Sequence, residues 1–238
     1  VIADLRILPD ADAAARAAAH LAGAFAREAV AARGRFTVAL AGGGTPRAAY
    51  GALAAEPEGA VPWADTFVFF GDERRVPPED PASNYRMARE TLLARVPVEA
   101  ARVFRMEGED PDPDAAARRY ENALRREAPS GLDLVLLGMG EDGHAASLFP
   151  ETPALDERLR WVLPSQAPPG VSPAGRLTLT LPALAAARRV IFLVTGAAKR
   201  EALLRVRRRL RPLPPAARVR AREATLWIVD VAAVGGSA

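Results

Sequence analysis

Five short, nearly uninterrupted apolar runs punctuate the chain: RFTVAL at 35–40, TFVFF at 66–70, LDLVLL at 132–137, RVIFLV at 189–194 and TLWIVD at 225–230. Apolar runs this short, bounded by glycine or charge, predict strands buried on both faces. Between them the apolar spacing lengthens to that of helices. Residues 12–33 predict an alanine-rich helix with Ala14, Ala18, Leu21 and Phe25 on one face, and Gly34 is its expected stop. A second helix should follow AGGGTP, with Thr45 as N-cap and Pro46 at its first position. A third runs over 83–96 with Ser83 or Asn84 near its cap, and further helical patterns lie at 113–128 and 197–210. Strands alternating with helices predict an α/β fold: a single doubly wound, mostly parallel sheet with helices on both faces.

Two segments break the pattern. ERLRWVLPSQ (157–166) and GRLTLTLPAL (175–184) alternate apolar with polar residues and predict a small antiparallel excursion near one edge. RPLPPAAR (211–218) reads as a proline-rich connector ahead of the last strand. There is no internal repeat and no long linker, so residues 1–238 are expected to form one domain.

Composition narrows the classes. Cysteine is absent, which removes disulfides, thiolate catalysis and the usual zinc frameworks and agrees with a reducing cytoplasm. The first twenty residues carry acids and no continuous apolar core, so they are not expected to be a signal peptide, and no run is long enough to span a bilayer. The net charge is only +3, and the arginine-rich stretch 203–223 holds no aromatic residue for base stacking, so a solvated helix face is preferred to a nucleic-acid site. Lys199 is the only lysine among 32 cationic side chains. Either it is a chance survivor of an arginine-biased composition, or it stands where a compact point charge is needed.

Ligands in open parallel sheets bind outside the carboxyl ends of the strands. Four loops directly follow predicted strands there: AGGGTP (41–46), GDERRV (71–76), GMGEDGH (138–144) and TGAAK (195–199). All four should meet at one sheet edge. Three consecutive glycines, Gly42 to Gly44, let backbone N–H groups approach an anion at a helix N-terminus, and the absence of a G-K-[ST] step excludes a Walker loop. GDERRV supplies Asp72, Glu73, Arg74 and Arg75, and one of its arginines aimed inward would clamp an anion bidentately; the other reading is a set of surface ion pairs. Lys199 at a helix start opposes the helix dipole, which a bound anion would relieve.

The third loop spells G-x-G-x-x-G with Gly138, Gly140 and Gly143, the dinucleotide fingerprint, but Pro150 and Pro153 limit any following helix to about two turns. Glu141 and Asp142 would also repel a pyrophosphate. An acid–base pair fits better. His144 stands at a strand end two residues after Asp142, which can orient an imidazole that takes a proton from water. The other histidine, His20, falls in the alanine-rich helix and reads as a surface or half-buried residue.

AGGGTP, GDERRVPPEDPASNYRMARETLL, GLDLVLLGMGEDGHAASLFP and TGAAKREAL resemble, in order and spacing, the 6-phosphogluconolactonase family, from about residue 35 to the last strand. The resemblance implies a cytosolic hydrolase of the oxidative pentose phosphate pathway that opens 6-phospho-D-glucono-1,5-lactone, with no cofactor and no metal. It implies His144 as general base, Asp142 as its positioner, and Gly43, Gly44, Thr45, Arg74 and Lys199 as the phosphate site. Its implied partner is the small sugar-phosphate lactone, without nucleic acid or membrane, and the protein would be a monomer or small homo-oligomer. The related glucosamine-6-phosphate deaminases carry a tyrosine after the Asp-Glu of the second loop and a Phe-Asn-Glu run after the histidine. This chain has Arg74 at the first and Ser147-Leu148-Phe149 at the second, so the deaminase's glutamate is replaced by Phe149. One departure from the lactonase pattern is Gly44, where a serine is frequent. A sugar-phosphate-binding protein without catalysis is the third reading.

Overall fold

The computed structural model describes residues 4–235. In chain order it contains β1 (Asp4–Leu8), α1 (Ala11–Arg33), β2 (Phe36–Leu40), α2 (Gly44–Ala54), β3 (Thr66–Phe70), β4 (Asp72–Arg74), α3 (Asn84–Thr91), α4 (Pro113–Glu127) and β5 (Leu134–Leu137). There follow β6 (Val162–Gln166), β7 (Gly175–Leu179), α5 (Leu181–Ala186), β8 (Arg189–Val194), α6 (Arg200–Arg208), α7 (Pro215–Arg218), β9 (Ala224–Asp230) and α8 (Val231–Val234). A parallel sheet of six strands runs in the order β1-β9-β8-β5-β2-β3, and a separate sheet of three runs β4-β7-β6. The expected α/β, doubly wound architecture is present.

Burial on both faces explains the apolar runs. Along β8, Val190, Phe192 and Val194 face the layer built from α4, α5, α6 and α7, whereas Ile191 and Leu193 face α1, α2 and α3. Alanine at seven buried positions of α1, among them Ala14, Ala18 and Ala26, lets that helix lie close to the sheet. Gly34 ends it in the left-handed region, as expected, with its N–H on Val30 O. Ser83 is the cap of α3, its Oγ accepting from Arg86 N at 3.1 Å.

Several elements differ from expectation: α3 ends at Thr91, short of residue 96, and α7 lies inside the expected connector. The sequence reading has no counterpart of β1, a five-residue edge strand paired only with β9. The charged stretch GDERRV is not simply a loop, because Asp72–Arg74 pairs antiparallel with β7. The antiparallel excursion is therefore a separate sheet rather than an extension of the main one. Gly71 is the corner between them: its N–H donates to Leu40 O of the main sheet and its carbonyl accepts from Leu179 N of the small one, both at 2.8 Å. Finally, α2 begins two residues early, at Gly44 with Gly43 as cap. Thr45 lies inside the first turn and its hydroxyl meets Thr195 Oγ1 at 3.0 Å instead of capping. Pro46 also falls in that first turn, where no helix carbonyl would have received its N–H.

The order of the main sheet has a switch point at β2, flanked by β3 on one side and β5 on the other. Chain connections diverge there, leaving a crevice at the carboxyl ends of the strands.

Candidate active site

The segments that follow β2, β3, β5 and β8 meet over this crevice and line a cavity of about 290 Å³. Gly43, Gly44, Thr45, Arg74, His144 and Lys199 all line it. Asp142 stands behind His144 and does not line it.

The first loop is held from below. Tyr50, fully buried on α2, receives a hydrogen bond from Ala41 N at 2.6 Å and donates to Ala41 O at 2.8 Å. Its hydroxyl thus satisfies both backbone groups of the residue that starts the glycine loop. Tyr50→Phe should destabilise the protein by about 1–3 kcal/mol, read from the midpoint of urea unfolding, because a buried N–H and C=O lose their partner. An unchanged midpoint would show that water replaces the hydroxyl. Gly42 is also constrained: a Cβ there would overlap Asn84 Oδ1. Gly43 turns the chain at φ 104°, and the first-turn N–H groups of α2 face the cavity without helical acceptors.

The second loop carries a buried polar network. Asp72 accepts from Ser147 Oγ at 2.6 Å and from Asn84 Nδ2 at 3.1 Å. Glu73, almost fully buried, accepts from Arg74 N, Asn84 N, Tyr85 N and Ser83 Oγ, and so ties β4 to the start of α3. Arg74 donates through Nη1 to Ala82 O, and its buried Nε has no partner. Arg75 turns the other way, donating to Asp110 O at 3.0 Å.

In the third loop, Gly140 N donates to His144 O and Gly143 N to Gly140 O, both at 3.0 Å, closing a tight ring. No helix follows Gly143, and Ala145 and Leu148 instead form an isolated bridge. The dinucleotide reading has no helix to rest on. Asp142 Oδ1 lies 2.6 Å from His144 Nδ1 and accepts from His144 N at 3.0 Å. Burial raises the Asp142 carboxyl, but these hydrogen bonds and the nearby imidazole outweigh it and hold the group below its ordinary value. The ring of Phe149 packs on the imidazole with centroids 4.6 Å apart. With Nδ1 on Asp142, Nε2 is the nitrogen left for the cavity. The proline-rich connector is a brace: Ala216 N donates to Gly143 O at 2.9 Å, and a Cβ on Gly143 would come within 2.6 Å of Pro214 Cβ.

The fourth loop turns at Gly196, whose N–H donates to both carboxylate oxygens of the buried Asp230 at 3.0 and 3.1 Å. That bond fixes the short turn Ala197–Lys199 ahead of α6. His20 is exposed on α1, away from the cavity, as its plain reading expects.

The sequence reading names the Asp72 and Thr195 loops but not these residues as site groups, although both line the cavity. Their position directly after a strand is the signal that finds them. Among the described residues, no three His, Asp or Glu side chains converge to hold a metal ion. Nor is any described helix long and apolar enough to cross a membrane.

A family model described as glucosamine-6-phosphate isomerases/6-phosphogluconolactonase matches residues 9–227. The chain belongs to this family. Within it, a 6-phosphogluconolactonase of Synechocystis sp. is 45% identical over 184 residues, covering 74% of this chain and 73% of that protein. The crystal structure of 6-phosphogluconolactonase from Thermotoga maritima superposes with a TM-score of 0.84 at 30% identity, covering 95% of this chain and 99% of that one. A monomeric glucosamine-6-phosphate deaminase superposes equally well, with a TM-score of 0.85 over 98% of this chain and 99% of that one, but at 20% identity. The fold alone therefore does not decide between the two activities.

Proposed function

We propose that this protein hydrolyses 6-phospho-D-glucono-1,5-lactone to 6-phosphogluconate, a step of the oxidative pentose phosphate pathway, in the cytoplasm and as a monomer or small homo-oligomer. The observation that carries this reading is the His144–Asp142 pair, opening through Nε2 onto a cavity that the glycine loop, Arg74 and Lys199 also line. Asp142 holds the imidazole with Nδ1 protonated, so Nε2 takes a proton from water as the oxygen attacks the lactone carbonyl. The C–O bond to the ring oxygen then breaks, and His144 returns the proton to that oxygen. The first turn of α2, Arg74 and Lys199 anchor the remote phosphate. That anchoring orients the carbonyl against the activated water. A δ-lactone is an activated ester, so a positioned base and an oriented substrate suffice.

Phe149 argues against the deaminase alternative. It is buried against the imidazole, where a carboxylate would be required to assist sugar ring opening. The test is to follow 6-phosphogluconate formation from freshly generated lactone, against the spontaneous rate, beside ammonia release from glucosamine 6-phosphate. Strong acceleration of the first without the second is expected. Ammonia release would reverse the assignment, and sugar-phosphate binding with neither reaction would make the protein a non-catalytic binder.

A further inference from the structure

Lys199 is the only side-chain amine in the chain. Every other basic side chain except the two histidines is arginine, whose guanidinium stays protonated and is a poor acyl acceptor. Amine chemistry is therefore confined to one side chain, and that side chain lines the anion cavity together with the first turn of α2 and His144. Among the described residues no carboxylate lies within ion-pairing distance of Lys199, unlike many of the surface arginines such as Arg86, Arg105, Arg119 and Arg189. Its turn is anchored by Asp230 through Gly196, so Nζ works from a fixed base.

We propose that Lys199 is also an acylation site, at which an acyl phosphate delivers its acyl group to Nζ and weakens the cavity's hold on its normal ligand. The inference rests on the reading that the cavity takes a phosphate. An acyl phosphate carries the two groups the cavity is built around, a phosphate and an activated carbonyl. Its phosphate docks on the glycine loop and Arg74, and its carbonyl is then presented to the lysine that shares the cavity. One proton of the ammonium passes to water. The free amine attacks the carbonyl carbon, the N–C bond forms, and the C–O bond to phosphate breaks. A second proton leaves with the departing phosphate, which the same donors stabilise. The product is a neutral amide. It removes the one lysine charge from the cavity and with it a phosphate partner.

The experiment is to incubate the full chain with acetyl phosphate in the presence of a small reference amine, Nα-acetyl-lysine amide. Intact mass and peptide mapping follow both amines, with and without inorganic phosphate. Lys199 should acetylate about tenfold faster than the reference or more, as docking raises the local donor concentration. Inorganic phosphate should return it to the reference rate. The acetylated protein should then show a raised KM for the lactone with kcat changed less, since a binding charge has been lost. Labelling no faster than the reference amine, or labelling that inorganic phosphate does not slow, overturns the proposal. The readout is a mass, not turnover. A protein that labels at Lys199 with phosphate protection but opens no lactone refutes the proposed function and leaves the acylation site standing. An active lactonase whose Lys199 behaves like the reference amine does the reverse.

Discussion

Replacing His144 with alanine should lower kcat for lactone opening by about 10²–10⁴-fold, the usual contribution of a positioned general base. KM should change little, because the proposed phosphate donors, the glycine loop, Arg74 and Lys199 of the same cavity, are left in place. The fold should persist. The imidazole is partly exposed and its backbone N–H keeps the Asp142 hydrogen bond at 3.0 Å, so the loop retains a fastening after the ring is removed. Steady-state kinetics corrected for spontaneous opening, with a urea titration of the same preparation, separates the two effects. Residual acceleration above the spontaneous rate is expected, since orientation of the lactone does not need the base. If KM rose and kcat held, His144 would be a binding group and the water would need another base. Asp72, buried in the same cavity but committed to Ser147 and Asn84, would be the first to examine.

The convergence of the loops was legible because it follows from local pattern and one topological rule. Apolar runs buried on both faces mark the central strands, and parallel strands send their following loops to one edge. What escaped the pattern depends on partners far away in the chain. Asp72 and Glu73 look like loop residues by charge, yet they are buried within β4 because Ser147, Asn84 and the start of α3 supply their hydrogen bonds. Thr45 has the chemistry of a cap, but Thr195, 150 residues away, takes its hydroxyl. β1 is an edge strand and exposes Ile7, so it lacks the doubly buried signature of the central strands. The connector 211–218 announces itself only as proline-rich, and its contact with Gly143 exists in three dimensions alone. Residue types at the ends of strands survive this loss of information because the fold positions them whatever their neighbours do. Their roles as base, positioner and phosphate donors rest on chemistry and on the family resemblance.

Gly140→Ala should be nearly as damaging to turnover as losing the histidine, and for a reason no substitution of a polar group would reveal. Gly140 does not occupy the left-handed region, so its backbone conformation is open to alanine. The obstacle is a neighbour: a Cβ there would overlap His144 Nδ1 and come within 2.5 Å of Asp142 Oδ1. The methyl group therefore enters the hydrogen bond that orients the imidazole. Either the ring swings out or the loop shifts, and a misplacement of this size costs about 10²-fold in kcat. Overpacking costs about 1–3 kcal/mol of stability at most sites, but this loop is at the cavity edge and can relieve the clash by moving His144. The kinetic loss should accordingly outweigh the shift in the urea midpoint. Gly143→Ala is the contrasting case, because φ +83° and Pro214 oppose a side chain there and the strain falls on folding. The decisive comparison is the double variant. In the His144→Ala background the imidazole is gone, so adding alanine at 140 should lower kcat little further, and the two losses should be far from additive. If they multiplied instead, Gly140 would act on turnover by a route other than the placement of His144.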